Sequence, residues 1–142
     1  DASGNPLKRP NEGMYILAEH KVYRASGDAD RGLTVFARFG VASGAVNPFD
    51  YAWSAGVVYT GLFPGRDKGQ LGLGAEGAHV SGKYREAVGT AVASTTAYEL
   101  TYNDNLTSWL GIQPDVQYII HPDVNPTLRN ALVAGVRFIA NF

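Results

Sequence analysis

The chain has no cysteine, so disulfides, thiolate metal sites and cysteine nucleophiles are excluded, a pattern common among secreted bacterial proteins. It also lacks any apolar run near the roughly 20 residues that a transmembrane helix needs, so a membrane role would have to use strands. Charge is sparse. Asp, Glu, Lys and Arg make up 18% of the residues and the net charge is -1; without a clustered basic excess, nothing calls for a nucleic-acid partner. Missing too are the G-x-S-x-G, H-E-x-x-H and Walker sequences. His20, His79 and His121 lie far apart with no local carboxylate pattern, so no metal site, catalytic set or cofactor is expected. The chain starts at Asp1 without an initiator methionine or a leader, which reads as a processed product or a fragment. Against these absences stand 45% hydrophobic residues, 17 glycines and 8 tyrosines in 142 residues, enough for one ordinary domain and with nothing that requires two.

Hydrophobicity alternates with a period of two almost throughout, and a helical period is hard to find. The expected strands are 14–24, 33–42, 51–62, 70–79, 95–102, 110–121 and 131–142, each near the roughly 9 to 11 residues of a tilted bilayer-crossing strand. Between them lie turn-rich segments such as SGDADRG, SGAVNP, FPGRDKG, NDNLTS and HPDVNPTLRN, where Gly, Pro, Asn, Asp and Ser supply turn geometry. From the third connection onward, short and long segments alternate, as in a meander with tight turns on one side and larger loops on the other. Residues 81–88 could hold a short helix, 1–13 read as an irregular polar lead-in, and 1–142 form part of a single domain.

The two faces of these strands differ in kind. Leu110, Ile112, Pro114, Val116, Tyr118 and Ile120 share one face of their strand, and Gln113, Asp115 and Gln117 share the other. Likewise Leu132, Ala134, Val136 and Phe138 oppose Arg137, and Val35, Ala37 and Phe39 oppose Phe36 and Arg38. A soluble β-barrel or sandwich that binds a small ligand, with its apolar face inside, produces the same alternation. Strand length favours a transmembrane barrel instead, as do the Gly and Ala on the polar face and the aromatics near strand ends: Tyr15, Tyr51, Trp53, Tyr59, Phe63, Tyr102, Trp109 and Phe142. In that barrel Glu19, Lys21, Arg38, Glu76, Glu99, Asp115 and Arg137 line a lumen whose acids and bases nearly balance. Such a set, with Gln113 and Gln117, suits a neutral, hydroxyl-rich solute better than an ion. Lys21, Arg38, Glu99, Gln113, Asp115, Gln117 and Arg137 are the expected pore-lining, sugar-contacting residues. His20 is the exception, falling among Met14, Ile16, Ala18 and Val22 on the apolar face, so it sits near an interface or the register shifts there.

Two motifs compete with this reading. Gly72, Gly74 and Gly77 match G-x-G-x-x-G, and Glu99 stands near the position of a ribose-binding acid. The match lacks its context, because GRDKGQL precedes it instead of an apolar strand and no amphipathic helix follows. Asn105-Leu-Thr107 matches a glycosylation acceptor, a frequent chance pattern.

The stretch from Tyr98 to Phe142 carries E-L-T-Y, L-x-x-Q-P-D-x-Q-Y-I-x-x-P and a closing G-x-R-x-x-x-x-F. It resembles the C-terminal end of the OprB family of carbohydrate-selective porins. Upstream, EHKVYR, RGLTVFARFG and SAGVVYTGLFPGRDKGQLGLG resemble that family's strands, although Asp67 follows Arg66 directly. The resemblance implies an all-β fold, about seven antiparallel C-terminal strands of a 16-stranded barrel in the outer membrane of a Gram-negative bacterium. It also implies passive passage of monosaccharides without enzymatic chemistry. The expected partners are the N-terminal remainder of the same barrel, whether a separate chain or simply not included, lipid and lipopolysaccharide, small sugars, and the insertion machinery. That machinery would read the last strand, with Phe138 and Phe142 as its signal.

Overall fold

The computed structural model describes residues 9–25, 27, 28 and 30–142. Its strands are β1 (Gly13–Arg24), β2 (Gly32–Ala42), β3 (Phe49–Thr60), β4 (Gln70–Val80), β5 (Ser94–Asn105), β6 (Leu110–Ile120) and β7 (Ala131–Ala140). They form one 7-stranded sheet in chain order, and every neighbouring pair is antiparallel. The expected all-β meander is present, with boundaries moved by a few residues. Of the expected lead-in, residues 1–8 lie outside the described residues and 9–12 carry no strand.

The connections segregate by end. Loops 43–48, 81–93 and 121–130 share one end of the sheet, and the turns 25–31, 61–69 and 106–109 share the other. The first group interlocks: buried Ser81 donates from its backbone N–H to the Pro48 carbonyl and from its hydroxyl to the Asn47 carbonyl, both at 2.8 Å. Ser81 also N-caps the short helix α1 (Gly82–Val88), accepting from the Tyr84 N–H, and Gly89 closes that helix in the left-handed region at φ 68°. Thr90 donates to the Val124 carbonyl at 2.9 Å. At the opposite end Arg31 ties two turns together, donating to the Gly61 carbonyl at 2.9 Å and pairing with Asp67 at 3.3 Å.

A single layer buries little of itself. Among the described residues, the buried hydrophobic side chains are Val80 and Val124, whereas Met14, Leu132 and Phe138 are 73%, 74% and 67% exposed. A soluble domain of this length would gather its apolar side chains against a second layer. β1 and β7 each pair on one side only, leaving a row of backbone donors and acceptors on either edge. In hydrocarbon each such unpaired group costs several kcal/mol.

Candidate functional site

Residues directly opposite one another in an antiparallel ladder project to the same face, so the register sorts the side chains without further assumption. Ala37 and Phe39 face Ala55 and Trp53, Ala55 faces Ala75, Leu73 faces Leu100, Leu100 faces Val116, and Ile112 faces Phe138. This is the apolar face. On the other face Lys21 stands opposite Thr34, Arg38 opposite Ser54, Ser54 opposite Glu76, Glu99 opposite Gln117, Thr101 opposite Asp115 and Gln113 opposite Arg137. All seven residues singled out in the sequence therefore share the polar face.

Within that face the residues form a network on β5, β6 and β7. Gln117 donates its amide N–H to a Glu99 carboxylate oxygen at 3.2 Å. Gln113 donates to the Thr101 hydroxyl at 3.2 Å and accepts from Arg137 at 3.4 Å, while Thr101 donates to the Pro114 carbonyl at 3.2 Å. The Asp115 carboxylate lies over Gly135, where an added Cβ would stand 2.9 Å from Oδ1. Arg38, on β2, sits across a concavity of about 300 Å³ that it shares with Glu76, Glu99 and Gln117. Lys21, on β1, donates from its ammonium to the Asp30 carbonyl in turn 25–31 at 2.8 Å. Ser54, Glu76, Thr101 and Phe36 line the same concavity and were not among the sequence candidates for sugar contact. Their strand phase was the available signal.

Several sequence expectations need adjustment. Tyr15, expected in an aromatic girdle, faces Gly40 on the polar side and is 81% exposed. At the other end of β1, Tyr23 lies on the apolar face, because the register shift between Lys21 and Tyr23 aligns it with Leu33; its ring lies 6.3 Å from Tyr59. A bulge inserts one extra residue and so exchanges the faces of the residues beyond it. His20 precedes that shift and stays on the apolar face opposite Val35. The apolar face carries two further polar groups near its ends. His79 Nδ1 stands 2.7 Å from Asp50 Oδ1 and stacks on Tyr51 at 4.6 Å, at a second register irregularity between Phe49 and Tyr51. Asp104, only 8% exposed, pairs with Arg66 at 3.3 Å and accepts from the Tyr102 hydroxyl at 3.1 Å, with Phe63 edge-on to Tyr102.

The glycine fingerprint dissolves into strand geometry. Gly72 and Gly74 face Thr101 and Glu99 on the polar side of β4, whereas Gly77 lies on the apolar side opposite Trp53. A Cβ at Gly77 would stand 2.7 Å from the Trp53 indole nitrogen, so the glycine makes room for that ring. Thr107 of the Asn105-Leu-Thr107 match accepts from the Leu110 N–H at 3.0 Å, closing the turn into β6. Among the described residues, no group of three or more His, Asp or Glu side chains could hold a metal ion, and no helix is long and apolar enough to cross a membrane.

Comparison with known proteins gives a consistent result. The family described as carbohydrate-selective porin, OprB family, matches residues 1–142. Porin B of Pseudomonas aeruginosa is 34% identical over 154 residues, an alignment that covers 95% of this chain and 34% of that protein. The high-pH structure of Pseudomonas putida OprB superimposes with a TM-score of 0.82 at 31% identity, covering 92% of this chain and 35% of that one. The low-pH structure gives 0.72 at 31% identity over 93% and 37%. The chain thus spans about a third of the length of these relatives.

Proposed function

The chain belongs to the OprB family of carbohydrate-selective porins, and from that premise we propose that it supplies part of the wall of an outer-membrane diffusion channel for monosaccharides and similar neutral polar solutes. The observation that carries the proposal is the division of one antiparallel sheet into a face of exposed Leu, Val, Phe, Tyr and Trp and a face bearing Arg38, Glu76, Glu99, Gln113, Gln117 and Arg137. The apolar face meets lipid and lipopolysaccharide; the polar face lines the lumen.

Passage needs no covalent chemistry and no cofactor. A sugar that enters loses part of its hydration, and the amides, carboxylates and guanidinium groups of the wall replace those hydrogen bonds with donors and acceptors of matching number. Glu99 accepts from the neutral amide of Gln117 and Arg137 donates to that of Gln113, so both keep their charge, and it is the near balance of acids and bases across the polar face that leaves little net pull on an ion. Lys21, Arg38, Glu99, Gln113, Asp115, Gln117 and Arg137 are the proposed sugar contacts. The remaining strands of a 16-stranded barrel, contributed by the rest of the same porin, would pair with β1 and β7 and remove both open edges. Phe138 and Phe142 are the proposed signal for the insertion machinery.

A soluble binding protein with the faces reversed is disfavoured, because neither face of the sheet is covered and Val80 and Val124 are the only buried hydrophobics among the described residues. Liposome swelling with the full-length porin tests the channel: glucose should enter faster than gluconate of similar size. Equal entry would make it a general porin, and no entry of either would end the proposal.

A further inference from the structure

Phe36 is a large apolar side chain on the polar face, two positions before Arg38 and opposite Glu19 and Gly56. Its ring does not stand free in the lumen. A Cβ at Gly56 would lie 2.8 Å from two of its ring carbons, and one at Gly74 would lie 3.8 Å from its tip. The ring therefore reaches from β2 across β3 toward β4 over a surface that two glycines keep clear. What it leaves uncovered belongs to the concavity lined by Arg38, Glu76, Glu99 and Gln117.

We propose that Phe36 is a stacking platform that selects the pyranose ring within the lumen. The proposal rests on the channel reading above and deepens it. An aromatic face carries partial negative charge, and one face of an aldohexose ring presents a patch of C–H groups of opposite polarity. A hexose laid on Phe36 would direct its equatorial hydroxyls sideways, where the carboxylates of Glu76 and Glu99 accept and the guanidinium of Arg38 and amide of Gln117 donate. An acyclic hexitol offers the same hydroxyls without a rigid C–H face. A wall of balanced polar groups cannot separate the two; a ring held flat against glycine can.

The test measures liposome swelling by the full-length porin with glucose and with mannitol, taking the ratio of the two rates so that changes in pore width cancel. The wild-type ratio should exceed one, and F36L should lower it by about threefold, the effect of losing one ring stack. F36Y should keep the high ratio. If F36L fails to assemble, F36M provides the same removal of the ring at similar volume. A wild-type ratio of one, or a ratio unchanged in the leucine or methionine variant, would overturn the platform while leaving the channel intact. Wild-type liposomes that admit neither solute would overturn both.

Discussion

At the scale of the residue, the polar groups divide into those on the polar face, proposed above to meet solute, and those that hold the wall. Gln117 belongs to the first kind. Replacing it with Ala removes a hydrogen bond to Glu99, whose net worth is about 0.5 to 1.5 kcal/mol. It also leaves the Glu99 carboxylate without that amide donor on the polar face. The expected outcome is a few-fold fall in glucose entry, read from swelling rates, with the reversal potential of single channels unchanged because no charge is lost. Asp104 belongs to the second kind. It lies on the apolar side, nearly buried, between Arg66 and Tyr102, and Asp104→Ala strands both partners. Because Arg66 is 45% exposed, solvent tempers the loss, and a destabilisation of about 1 to 2 kcal/mol is expected, measured as a lower urea midpoint with unchanged glucose permeation. The face on which each lumen candidate stands was legible in sequence, since strand phase alone assigns it. Asp104 was not, because its pairing with Arg66 depends on turn 61–69 folding back over the end of β5, where Arg66 also donates to the Asn105 carbonyl.

At the scale of the element, strand existence was legible and strand detail was not. Alternation located every strand, but the irregularities at 21–23 and 49–51 left no pattern of their own. Each depends on which backbone groups the neighbouring strand offers. Pro114 shows the same limit. A proline without an N–H argues against a central strand, yet β6 is paired on both sides, and its pairing with β5 passes from Thr101–Asp115 to Asp104–Ile112. The Thr101 hydroxyl takes up the Pro114 carbonyl there. Helix α1 was anticipated from its position in a long loop, and its anchor is Ser81, buried and bonded to loop 43–48. Ser81→Ala should cost about 1 kcal/mol locally. Hydrogen exchange should then show faster exchange across 82–90 with the strands unaffected; equal exchange in both proteins would mean the cap carries no weight.

At the scale of the whole molecule, the seven-stranded sheet has two free edges and almost no core. Residues 1–142 expressed alone are therefore expected to yield no detergent-stable barrel. On a gel without boiling, the isolated segment should migrate as unfolded 15.2 kDa chain, whereas the full-length porin should shift in mobility between unheated and boiled samples. A compact, heat-shifting species from the segment alone would contradict the need for further strands. The sequence by itself determined the strand period, the chemical difference between the two faces, the lengths of the connections and, through its closing motifs, the family. These are properties of near neighbours along a chain of period two, and they survive without knowledge of the partner strand. Tertiary structure alone decided which groups meet: Gln117 with Glu99, Arg66 with Asp104, Tyr23 rather than Tyr15 on the apolar face, and Phe36 laid over Gly56. Each of these depends on register, and register is set by hydrogen bonds between strands that the linear order does not contain.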